Sequence, residues 1–235
     1  MVITNTVKDE NDWKLYFPPA GKDKQWKPGF SALEFARAVT SKGFETEIND
    51  VLGNLKFDSN KIYPEHLTYF DDVSSGPRHH DMACICTQNG KEVALCFEAK
   101  VKESLDQKLN KAIVDNSKSK KSKKPFRVKN FCKILFNKEY DSTTMGEIYY
   151  QLLSGAMGSL AYAYENDISK CYFIIYQLVP ENDKKFSSTI KRHKKAINNF
   201  IQQINSSYDI NNQDVIKLGK YKLNLDERKG GKIIE

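Results

Sequence analysis

A chain of 235 residues, 40% hydrophobic and 29% charged, is long enough for one domain with a sizeable core and too evenly polar for a membrane bundle or a fibre. Lys and Arg outnumber Asp and Glu by 37 to 30, and the resulting net charge of +7 favours a polyanionic partner. No secretory leader or long apolar run is apparent, so the expectation is a cytoplasmic protein without a membrane partner. Cys84, Cys86, Cys96, Cys132 and Cys171, odd in number and set mainly in apolar segments, read as reduced, buried thiols.

Residues 1–30 read as a lead-in whose rings, Trp13, Tyr16, Phe17 and Trp26, pack onto the domain formed by 31–235. Pro18 and Pro19 break any helix there. A helix is predicted over 31–41, N-capped by Ser31, with Glu34 completing a capping box and Phe30 and Phe35 forming a hydrophobic staple. A second helix over 45–55 carries Ile48, Val51, Leu52 and Leu55 at helical spacing. A first strand is expected over 66–70, followed by a turn-rich stretch in which Asp71 and Asp72 suit turn formation better than metal ligation.

The stretch 76–103 organises the rest. Gln88-Asn89-Gly90 supplies a tight turn between two β-prone arms, 81–87 and 92–101, because Asn and Gly tolerate positive φ. In the second arm Val93, Leu95, Phe97, Ala99 and Val101 fall on one face, with Ala94, Cys96, Glu98 and Lys100 on the other. Glu98 and Lys100 therefore point the same way at the strand's end, and the hairpin folds Asp81 back towards them. Two carboxylates meeting at one point repel unless a hard cation such as Mg²⁺ lies between them. A neighbouring ammonium can orient a water or stabilise charge on a phosphate.

Downstream, 104–114 reads as a charged helix and 115–125 as a low-complexity basic loop that is mobile and either solvated or clamped on a phosphate backbone. Residues 126–136 return to an apolar pattern. The longest helix pattern covers 143–165, with Gly146, Gly155 and Gly158 lowering propensity but permitting close packing. The run 170–179 is apolar enough for a strand buried on both faces. An amphipathic helix over 187–204 turns Lys191, Arg192, His193, Lys194 and Lys195 outward as a basic patch. Residues 215–225 suggest an edge hairpin, and 228–235 a polar tail.

Asp81, sixteen intervening residues and then Glu98-Ala99-Lys100 resemble the PD-(D/E)XK nuclease superfamily, which includes many restriction endonucleases. Pro77 stands four residues ahead of Asp81 rather than next to it. The resemblance implies an α/β fold with a restriction-endonuclease-like core, a central mixed β-sheet flanked by helices on both faces. It further implies Mg²⁺ (or Mn²⁺) held by Asp81 and Glu98, and a catalytic role for Lys100. Members of the superfamily often carry a metal-binding glutamate on the preceding helix; Glu34 matches it, with Glu45 and Glu47 as alternatives. Gln151 resembles the glutamine that several branches place beside the site, although Gly155 stands where the usual Gln-x-x-x-Tyr spacing has Tyr. The implied activity is phosphodiester hydrolysis, in DNA more than RNA, with restriction or phage defence as the analogy. Arg78, Lys120, Lys121, Lys123, Lys124, Lys191 and Arg192 would then grip the backbone, and paired cuts would call for a homodimer or a partner subunit. The alternative is a catalytically silent module of the same fold that binds nucleic acid or a protein.

Overall fold

The computed structural model describes residues 6–69, 76–117, 122–179, 186–205, 215–218, 221–228 and 231–234. The first helix, α1 (Glu10–Tyr16), is capped by Asp9, whose carboxylate accepts from the Asn11 and Asp12 amides. It delivers Trp13 edge-on to Phe35, with centroids 6.0 Å apart, while Tyr16 stays exposed. Helix α2 (Ser31–Thr40) buries Leu33, Phe35, Ala36 and Val39. The predicted capping box does not form. Phe30 holds the cap position, the Ser31 amide donates to Glu103 at 2.6 Å, and Glu34 accepts from the Gly29 amide at 2.8 Å. Helix α3 (Phe44–Leu52) stops three residues short of the predicted end, where Gly53 takes a φ of 71° that other residues avoid.

Leu55 instead opens β1 (Leu55–Thr68), a strand far longer than the one expected at 66–70. Asp58 accepts from the Asn60 amide at 2.9 Å and the pairing register shifts between Phe57 and Ile62, so the strand carries an irregularity there. Pro64 fits because β1 lies at the sheet edge, where a missing donor costs little. Strands β2 (Arg78–Gln88) and β3 (Lys91–Lys100) form the predicted hairpin, turning on Asn89 and Gly90 at φ 50° and 80°.

Helices α4 (Leu109–Ser117), α5 (Lys124–Phe136), α6 (Ser142–Met145) and α7 (Tyr150–Glu165) follow. The single helix read over 143–165 is thus two. Between them the backbone clips onto the segment before α4, the Leu109 amide donating to Ile148 O at 2.8 Å and the Tyr150 amide to Gln107 O at 2.9 Å. Strand β4 (Cys171–Gln177) runs parallel to β3, helix α8 (Phe186–Asn205) follows, and β5 (Val215–Leu218) and β6 (Tyr221–Arg228) make the expected C-terminal hairpin. The tail is not simply polar: β7 (Gly231–Ile234) pairs with both β4 and β6.

The molecule is α/β. A four-stranded mixed sheet, β1-β2-β3-β4, is extended by β7-β6-β5 and covered by helices on both faces. One apolar cluster joins Ala83, Ile85, Ala94 and Cys96 to α5, α7 and α8; the other joins Met82, Cys84, Leu95 and Phe97 to α1, α2 and α3. β2 and β3 are therefore buried on both faces, and all five cysteines are buried thiols in line with the sequence. No helix among the described residues is long and apolar enough to cross a membrane.

Candidate functional site

Strand alternation fixes which side of the sheet the polar residues occupy. On β3, Ala94 and Cys96 face α7, so Glu98 and Lys100 continue that row at the strand's C-terminal end. Ala83 and Ile85 face the same way on β2, but the alternation does not run on to the strand's start, where Arg78 and His80 also approach α7 at Gly158; the pairing of Met82 with Phe97 sets Asp81 beside Glu98. The decisive feature of the sequence reading, one acid folded back onto an acid and an amine, is thus present.

Glu98 is the hub. Its Oε1 accepts from Lys100 Nζ at 2.5 Å and from Gln151 Nε2 at 2.7 Å, and its Oε2 accepts from Arg78. The side chains of Glu98, Lys100 and Arg78 are 5, 6 and 10% exposed, so these charges meet away from bulk water. Asp81 accepts from the Ala99 amide at 2.6 Å. Gln151 reaches the hub because the break between α6 and α7 starts a new helix at Tyr150, one residue before it.

The electrostatics follow from this packing. Burial would raise the Glu98 carboxyl, but the charges and hydrogen bonds of Lys100 and Arg78 outweigh it and hold Glu98 below its ordinary range. Burial opposes the charge on Lys100 too, yet Glu98 and Asp81 raise it above its ordinary value. For Asp81 the balance falls the other way: burial, then repulsion from Glu98, outweigh Lys100, the Ala99 amide and Arg78 and push its carboxyl up to about 7.

A third carboxylate, which the sequence reading missed, joins the pair. Glu65 on β1 is pushed up to about 9 by burial and by the nearby charge of Asp81, with a smaller contribution from Glu98. Its Oε2 lies 3.3 Å from His79 Nε2, and burial keeps that imidazole below its usual range, so the two meet as neutral groups rather than as an ion pair. Glu65 has a φ of 51°, an uncommon backbone state for a side-chain-bearing residue. Nothing in the sequence announced it, because 65 lay just outside the predicted strand.

The other sequence candidates fall elsewhere. Glu34 is taken up at its own helix start by Gly29 and by Arg37, whose Nη1 is 3.5 Å away; the nearby third carboxylate is Glu65 instead. Glu47 accepts from the Tyr176 hydroxyl. Lys123 and Lys124 line a pocket beside Arg78, whereas Asp71, Asp72, Lys120 and Lys121 lie outside the described residues. Lys191, Arg192, Lys194 and Lys195 line a groove of about 900 Å³ along α8 with Lys108 and Tyr149. His193 does not belong to that patch: it is 3% exposed, its Nδ1 lies 2.6 Å from Gln177 Oε1, and Gln177 donates to the Lys100 carbonyl at 3.0 Å. The helix thereby ties its basic face to the strand end that carries the site.

Oxygen donors are what a hard divalent ion takes, and Asp81 and Glu98 bring two carboxylates together, the raised Asp81 carboxyl reflecting burial first and then repulsion from Glu98. Among the described residues, however, no group of three or more His, Cys, Asp or Glu side chains is arranged to hold a metal ion. The donor chemistry suits Mg²⁺ at two carboxylates, with water and phosphate oxygens completing the shell, as that ion commonly prefers.

No curated protein and no solved structure matches the chain. A family model described as Domain of unknown function (DUF6946) matches residues 6–225, and the chain belongs to that family.

Proposed function

We propose that the protein is a divalent-metal-dependent nuclease of the PD-(D/E)XK type that hydrolyses phosphodiester bonds, in DNA before RNA. The observation that carries this reading is the meeting of Asp81, Glu98, Lys100 and Gln151 at one buried strand end. Asp81 and Glu98 would hold Mg²⁺ or Mn²⁺, which when bound supplies Lewis-acid polarisation of the phosphate.

The chain's own residues do the rest. Lys100, kept charged by Glu98 and Asp81, stabilises negative charge developing on the phosphate oxygens. Gln151 donates to Glu98 through Nε2 and leaves a buried Oε1 without a hydrogen-bond partner, an acceptor suited to orienting the attacking water. As the water oxygen bonds to phosphorus the ester P–O bond breaks; the water gives up its proton to solvent and the leaving oxygen takes one from solvent. Lys191, Arg192, Lys123 and Lys124 bind the phosphate backbone without reading bases.

A second reading has an observation in its favour. Both Glu98 oxygens are occupied by side-chain donors, and a fully partnered carboxylate also suits a catalytically silent module that binds nucleic acid or a protein. Incubating supercoiled plasmid with the protein and Mg²⁺ or Mn²⁺ separates the two. Nicking or linearisation is expected for the wild type, with a loss of roughly 10²-fold or more for Glu98→Ala and for Lys100→Ala. Binding without cleavage under every divalent ion supports the silent module, and cleavage that survives either substitution removes that residue from the reaction.

A further inference from the structure

The pocket beside Arg78 is not used by the carboxylate site. It lies between the start of β2 and the first turn of α5, has a volume of about 380 Å³, and is lined by the cationic side chains of Arg78, Lys123, Lys124 and Arg127; among the described residues its wall holds no carboxylate, although Lys124 pairs with Asp106 at 3.4 Å. That volume is at the small end for ligand sites and suits one phosphate with its sugar rather than a folded partner. Two of the cations are held in place. Arg127 is buried and donates through Nη2 to the Gly76 carbonyl at 3.0 Å, and Lys124 lies over the Tyr150 ring, 4.9 Å from its centroid.

Arg78 links the pocket to the reaction centre. It is nine-tenths buried, one of its terminal nitrogens donates to Glu98, and its Nε is buried without a hydrogen-bond partner. A guanidinium is a planar fork of five donors matched to carboxylate and phosphate alike, so an unmatched donor on a fork already engaged with a carboxylate is chemistry that a phosphate completes. We propose that this pocket is a phosphate subsite, seating a substrate phosphate other than the one cleaved and coupling it through Arg78 to Glu98. The proposal rests on the nucleic-acid reading above and deepens it. The phosphate has two sources, a terminal phosphomonoester or an internal diester.

The test is fluorescence anisotropy in metal-free buffer, with one labelled oligonucleotide duplex carrying a 5′-phosphate and the same duplex carrying a 5′-hydroxyl. Both are titrated with wild type, Lys123→Ala/Lys124→Ala and Lys191→Ala/Arg192→Ala. Inorganic phosphate binding to the same proteins is followed by calorimetry, and thermal melting establishes that each variant folds. A preference of about tenfold for the 5′-phosphate, lost in the 123/124 variant and kept in the 191/192 variant, assigns the pocket to a chain end. Equal binding of both duplexes, weakened about tenfold in the 123/124 variant and competed by inorganic phosphate, assigns it to an internal diester. Duplex binding that neither the 123/124 substitution nor inorganic phosphate disturbs overturns the subsite while leaving the nucleic-acid reading intact. If no duplex binds the wild type, that reading falls, and the phosphate titration alone decides the pocket: one-to-one binding lost in the 123/124 variant upholds it, and no binding overturns it. Should the 123/124 variant not fold, Lys123→Gln takes its place in every arm.

Discussion

Glu65 is the residue that most changes the view of this site. Its carboxyl is protonated in the folded protein up to about pH 9, whereas in the unfolded chain it ionises near pH 4.5. Between those values the folded state binds one more proton than the unfolded state, so stability falls as pH rises. From pH 7 to 9 the wild type should lose about 1 kcal/mol per pH unit through this group, read from urea unfolding midpoints. Glu65→Gln, which keeps the shape and cannot ionise, should flatten that slope, and an unchanged slope would show that Glu65 is not the group responsible. A divalent ion should raise the wild-type midpoint more at pH 8.5 than at pH 6, because Asp81, pushed up to about 7, must be ionised to hold it. At this scale the sequence pointed to the meeting of Asp81, Glu98 and Lys100, because a hairpin turn brings the strands together and alternation along β3 sets Glu98 and Lys100 on one side. It hid Glu65 and the role of Arg78 as a partner of Glu98, because both depend on strand lengths and pairings that no local pattern encodes.

Among the elements, α7 governs how tightly the site is closed. A Cβ added at Gly155 would come within 2.2 Å of the Phe173 ring, and one at Gly158 within 2.6 Å of Arg78 Cγ and 2.7 Å of His80 Nε2. In an uncrowded helix Gly→Ala would stabilise by roughly 1 kcal/mol. Here the clash should dominate: Gly155→Ala is expected to lower stability by about 1–3 kcal/mol by the cost of overpacking. Gly158→Ala should in addition disturb Arg78, lowering cleavage more than its melting shift would suggest. A stabilised, fully active Gly158→Ala would mean that the close approach of helix and sheet is dispensable. The glycine spacing was legible as a sign of tight packing, and the order of helix, three strands, helix and strand was legible from periodicity. The length of β1 was not, since Asp58, Asn60 and Pro64 carry turn chemistry that an edge strand absorbs. Nor was the break before α7, which is made by backbone hydrogen bonds to residues some forty positions earlier.

For the molecule as a whole, two basic regions flank the strand end: the groove along α8, tied to β4 through His193 and Gln177, and the pocket beside Arg78. With a net charge of +7, binding to nucleic acid should weaken linearly on a log–log plot against salt. Lys191→Ala/Arg192→Ala should reduce that slope by roughly 2 while sparing the cleavage rate at saturation; an unchanged slope would place the backbone elsewhere. The central claim is that Asp81 and Glu98 form a cation site. The most direct test is anomalous diffraction from a crystal soaked in Mn²⁺. A peak between the two carboxylates, at ligand distances of about 2.0–2.6 Å, is the predicted result. A site without a peak, in which Arg78 and Lys100 still hold both Glu98 oxygens, would contradict it.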